Sequence, residues 1–76
     1  MPRHNAYDSL CSALVRARLA NELTQINVAT ALGRPQSFVS KYESGERTLD
    51  VIEFIQICQV IGVSPTALIS ELQVEL

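Results

Sequence analysis

The chain has no tryptophan, one histidine, two cysteines, three glycines and three prolines among its 76 residues. These scarcities exclude several classes of protein. His4, near the start, and two widely separated thiols, Cys11 and Cys58, do not make a zinc site, whose ligands come in close pairs. Carboxylates do not cluster, no base stands beside a serine or cysteine to activate it, and no glycine-rich loop is present to cradle phosphate. The sequence therefore points away from an enzyme, a bound metal or a cofactor. No apolar run approaches roughly 18 residues, so no membrane span is expected. The opening Met1-Pro2-Arg3-His4-Asn5 lacks a signal-type apolar stretch, and the expected location is cytoplasmic, with both thiols reduced. Charge is scarce as well: 18% of residues are charged, with a net of −2. That balance counts against nucleic acid, which attracts basic domains.

What is present is enough apolar residue, 47%, to build one small core. Residues 1–76 are read as a single all-α domain, because no strand-like alternation persists and no linker interrupts the chain. A first helix is expected from Asn5–Asp8 to Asn21, with Leu10, Cys11, Leu14 and Ala17 inward and Asn21 as its left-handed terminator. A second begins at the Thr24 cap, buries Val28, Ala29 and Leu32, and stops at Gly33. A third runs from Pro35 or Gln36 to Glu43, followed by a loop over Ser44–Leu49. Asp50 and Glu53 form a capping box for a fourth helix, with Val51, Phe54, Ile55, Cys58 and Ile61 inward and Gly62 at its end. Ser64-Pro65 opens a fifth, carrying Leu68, Ile69 and Leu72.

The charge is segregated along this succession of helices. All six cations lie before residue 48 (Arg3, Arg16, Arg18, Arg34, Lys41 and Arg47), with four anions among them. The remainder has four anions and no cation. Such asymmetry suggests two surfaces with different partners.

Residues 24–43 are two short helices about a glycine turn, the helix-turn-helix arrangement. Placed on a helix with Gln36 at zero, Ser40 falls near about 40°, Ser44 near about 80°, Ser37 near about 100° and Lys41 near about 140°. Phe38, Tyr42, Val39 and Glu43 fill the opposite arc. The polar arc has no carboxylate and mostly short side chains, which suits a DNA major groove. Glutamine can bond adenine N6 and N7, lysine can reach guanine O6 or N7, and serine can serve either base. Gln36, Ser37, Ser40 and Lys41 are the base-reading candidates. Arg34, Ser44 and Arg47 flank them as candidates for the DNA backbone.

Thr24-Gln25, Ala29, Leu32-Gly33, Gln36-Ser37, Val39-Ser40, Glu43, Gly45 and Gly62-Val63-Ser64 together resemble the phage-repressor-like helix-turn-helix family, of the Cro, CI and xenobiotic-response-element type. The resemblance covers residues from about 14 to 69. It implies a compact five-helix, lambda-repressor-like domain that reads double-stranded DNA with its third helix, commonly as a homodimer on a palindrome. It further implies that Gln25 binds phosphate and braces Gln36, and that Arg18 and Glu43 form a structural ion pair.

The chain departs from the family pattern at three places. Arg34-Pro35 replaces the usual apolar residue and hydroxyl cap. Glu22 stands where glycine is common, close to the expected DNA edge. Phe38 replaces a small or polar residue, as a core side chain or a contact to a thymine methyl. Ile52, Val60, Leu72 and Val74 mark the fourth and fifth helices, residues about 50–76, as a candidate isologous dimer face. The expected function is a dimeric repressor or autoregulator with no evident small-molecule effector. The alternative is a protein-interaction module or antitoxin-type regulator whose main partner is another protein.

Overall fold

The computed structural model describes residues 6–72. These residues form five helices: α1 (Ala6–Ala20), α2 (Gln25–Leu32), α3 (Gln36–Ser44), α4 (Val51–Ile61) and α5 (Pro65–Ser70). Val74 and Arg3 lie outside the described residues.

Local chemistry sets the helix starts. The Thr24 hydroxyl accepts from the Asn27 amide while the Asn27 side chain accepts from the Thr24 amide, so both first-turn donors are satisfied. Asp50 and Glu53 make the same reciprocal pair for α4. Ser64 caps α5, whose first residue is Pro65. Pro35 occupies the cap position of α3 without a side-chain hydrogen bond, and its fixed φ sets the chain direction into α3 instead.

The end of α1 differs from the expectation. Glu22, not Asn21, takes the left-handed conformation, with φ of 59°. The Leu23 amide bonds back to the Arg18 carbonyl at 3.1 Å, the six-to-one bond that closes a helix by way of a left-handed residue. Asn21 has a different role: its amide donates to the Ile61 carbonyl at 2.7 Å and satisfies an orphan acceptor at the end of α4.

Leu14, Val28, Val39, Tyr42, Ile57 and Cys58 are fully buried and join all four longer helices in one core. Phe38 belongs to this core at 6% exposure and meets Tyr42 edge to face at 5.5 Å between ring centroids. Burial pushes the thiols of Cys11 and Cys58 above their ordinary pKa, so both are core groups held as thiols. The Tyr42 hydroxyl is buried without a hydrogen-bond partner, and burial raises its pKa strongly.

Two inward expectations, Val51 and Ile69, and one outward expectation, Val60 on the dimer face, require correction. Val51 is 69% exposed, because the first turn of α4 runs past the core; it lines an apolar groove with Leu10, Leu49, Phe54, Ile69 and Leu72. Ile69 is 55% exposed on the rim of the same groove. Val60 is partly buried against the core and does not share an open face with Ile52. The reason is rotation: eight residues turn a helix by about 80° beyond two full revolutions.

Among the described residues no helix is long and apolar enough to cross a membrane, and no group of His, Cys, Asp or Glu could hold a metal ion.

Candidate nucleic-acid interface

Gly33, in the left-handed conformation at φ 69°, lets the chain turn sharply from α2 into α3. The turn leaves one side of α3 open. Gln36, Ser37, Ser40, Lys41 and Ser44 are all exposed along it, while Phe38, Val39 and Tyr42 fix the opposite side in the core. Lys41 is the one cation among the described residues that forms no ion pair. Ser44 lies within bonding distance of the Lys41 carbonyl, at 3.1 Å, and of the Glu46 carboxylate, at 3.2 Å. A carboxylate therefore borders the far end of the polar arc.

A chain of hydrogen bonds runs from the interior to the near end of the arc. Arg18 donates from Nε and Nη2 to the two oxygens of Glu43, at 2.7 and 3.1 Å, and from Nη1 to the Leu23 carbonyl at 2.8 Å. The Arg18 and Glu43 side chains are 11% and 7% exposed. The paired carboxylate raises the pKa of the guanidinium further, against the opposing effect of burial. Glu43 Oε1 also accepts from Gln25 Nε2 at 2.9 Å, and Gln25 Oε1 accepts from Gln36 Nε2 at 3.2 Å. Gln36 is thus attached through Gln25 to a buried, bidentate ion pair that ties α1 to α3. With its Nε2 engaged, Gln36 turns its carbonyl oxygen free as an acceptor.

Arg34 and Arg47 occupy a second node on the flank of α3. Arg34 Nη2 lies 3.1 Å from Glu53 Oε2, and Arg47 binds Glu53 with both terminal nitrogens at 3.0 Å. Both guanidiniums stack on the Phe38 ring, at 4.2 and 4.7 Å from its centroid. Arg47, together with the Asp50 amide and Arg34, holds the Glu53 carboxyl down at about 2. Tyr7 donates to the Arg47 carbonyl at 2.6 Å and anchors this loop to α1; burial pushes its phenol up to about 12. The expected backbone cations thus share one carboxylate while remaining partly open to solvent. Sequence reading missed Glu53 in this role, because its capping-box position already accounted for it.

Of the expected dimer residues, Ile52 is 64% exposed and Leu72 is half-buried in the apolar groove. Glu71 pairs with Arg16 at 3.3 Å. With Glu53 bound to Arg34 and Arg47, cations of the first half of the chain offset the acidic charge of the second.

The helix-turn-helix family model HTH_3 matches residues 14–68. The chain belongs to the XRE-type helix-turn-helix family of DNA-binding regulators. An XRE-family-like protein from Pseudomonas syringae pv. tomato is 53% identical over 87% of this chain and 80% of its own, with a TM-score of 0.83. Two more distant structures share the XRE-type fold. The restriction-modification controller C.AhdI from Aeromonas hydrophila is 23% identical, with a TM-score of 0.73 over 79% of this chain and 91% of its own. The clp gene regulator ClgR from C. glutamicum is 20% identical, with a TM-score of 0.83 over 91% and 90% of the two chains. No curated protein sequence matches the chain.

Proposed function

We propose that this protein is a sequence-specific transcriptional regulator that binds a palindromic operator as a homodimer and acts as a repressor or autoregulator. The observation that carries this reading is the polar arc of α3, with its leading glutamine held by Gln25. An oriented glutamine loses less freedom on binding than a loose one, and a preorganised donor–acceptor pair discriminates between bases. In this reading Gln36, Ser37, Ser40 and Lys41 meet base edges. Gln25, Arg34, Ser44 and Arg47 lie at the DNA backbone. A dimer places two copies of α3 in successive major grooves, about one helical turn apart. The exposed aliphatics Val51, Ile52 and Ile69 beside the apolar groove support a dimer face on α4 and α5.

Selection of bound fragments from genomic DNA tests the proposal. The expected result is a palindromic sequence, bound with a steep salt dependence and by a species of dimer mass in light scattering. Gln36→Ala should cost about 1–3 kcal/mol on that site and little on random duplex. Equal, weak binding of wild type to every fragment, or a monomer mass at tens of micromolar, would overturn the reading.

A further inference from the structure

We propose that Glu53 is a positioning residue that limits how strongly the protein holds the DNA backbone. The inference rests on the DNA-binding reading above and assigns to that function a residue that lies on α4, outside the helix-turn-helix. Phosphate recognition by arginine uses the in-plane N–H groups of the guanidinium fork. Both terminal nitrogens of Arg47 already donate to Glu53, and its Nη1 also reaches the Thr48 carbonyl at 3.0 Å. Arg34 spends Nη2 on the same carboxylate. The Glu53 side chain is 12% exposed, whereas those of Arg34 and Arg47 are 42% and 38% exposed. The carboxylate therefore sits beneath two guanidiniums whose outer edges face solvent.

Phe38 completes the arrangement. Both guanidiniums lie over its ring, and the ring and the carboxylate they share both compensate their like charge. The group of three side chains carries a net single positive charge in place of two. A phosphate approaching the flank of α3 must use the remaining N–H edges or displace Glu53. Either way the backbone contact is weaker than two free arginines would give, for DNA of any sequence.

The test is a cycle of four proteins titrated across salt concentrations: wild type, Glu53→Gln, Arg34→Gln/Arg47→Gln, and the triple variant. Each is measured on the selected operator and on a random duplex. Glutamine fills the same place in a capping box, so α4 keeps its start. Glu53→Gln should tighten both complexes on the order of five- to tenfold at 0.1 M salt. Its salt slope should steepen by about 0.9 for each phosphate contact released. The ratio of operator to random affinity should stay constant, because the added contact reads no base. In the background without the two arginines, the same substitution should have no effect.

Unchanged or weaker binding by Glu53→Gln would overturn the proposal. So would equal tightening in the arginine-free background, which would reduce Glu53 to a distant charge. The random duplex separates this outcome from failure of the functional reading. If wild type does not distinguish operator from random DNA, the reading fails, while the cycle on random duplex still decides the role of Glu53. If no variant binds DNA, both fail.

Discussion

The protein contains two arginine–glutamate nodes that use the same chemistry at different depths. Arg18 and Glu43 lie inside, bidentate, with Leu23 and Gln25 taking up further bonding capacity. Arg34 and Arg47 share Glu53 at the surface, over the Phe38 ring. The inner node is short of water to replace a lost partner, so its members depend on one another for solvation. The outer guanidiniums have water on one side and can exchange partners. Depth thus separates a fixed support from an adjustable contact, and both act on α3, one from below and one from its flank.

Breaking the inner node should produce the largest effect. Arg18→Ala leaves Glu43 nearly buried with only Gln25 as a partner, a loss of about 3–5 kcal/mol. A domain of this size holds only some 4–11 kcal/mol in total. Thermal unfolding should therefore show a drop of at least about 12 °C, since 1 kcal/mol moves Tm by about 4–8 °C in small domains. An unchanged Tm would mean that the pair is a bystander.

The outer node should respond instead to acid. The Glu53 carboxyl is held at about 2, below the ordinary 4.5, chiefly by Arg47. Its folded-state pKa is depressed, so its contribution is fully present above the unfolded value near 4.5 and is lost as pH falls toward 2. Tm followed from pH 6 to pH 2 should decline through that window, and Glu53→Gln should flatten part of the decline. Identical pH profiles for the two proteins would show that the surface ion pairs add nothing to stability.

The two nodes also differed in how far the sequence revealed them. The helix starts were legible because a cap and its partner lie three residues apart, as at Asp50 and Glu53, and such spacing carries its own geometry. The inner pair joins residues 25 apart, and it came into view only through resemblance to a family pattern. The outer node had neither aid. Arg34, in the turn between α2 and α3, and Glu53, on α4, are 19 residues apart, and their approach is decided by the packing of α2 against both α3 and α4. Composition pointed to cations beside α3 and to an acidic second half, but not to the contact that joins them. The link from Asn21 to Ile61, 40 residues away, was hidden for the same reason. The inward stripe of α4 was read correctly at Phe54, Cys58 and Ile61. It failed at Val51, where periodicity continues but the core has ended.

The smallest expected effect compares two turns of the same kind. Glu22 and Gly33 both occupy the left-handed position after a helix, with φ of 59° and 69°, and both are followed by an amide that bonds to the carbonyl five residues back: Leu23 to Arg18 and Arg34 to Ala29. Only the second has a residue suited to that conformation. A side chain with a Cβ costs roughly 1–2 kcal/mol there, and glycine returns part of the gain through the extra freedom of the unfolded chain. Glu22→Gly should therefore stabilise the fold by about 0.5–1 kcal/mol, a Tm rise of about 2–8 °C. Gly33→Ala should do the reverse by a similar amount, since open space around its Cβ leaves only the backbone conformation to oppose it. Because Glu22 also places a carboxylate just before α2, its removal should tighten DNA binding slightly at low salt, and that gain should vanish as salt screens the charge. A lower Tm for Glu22→Gly would mean that the glutamate side chain contributes a contact worth more than the strain of its backbone.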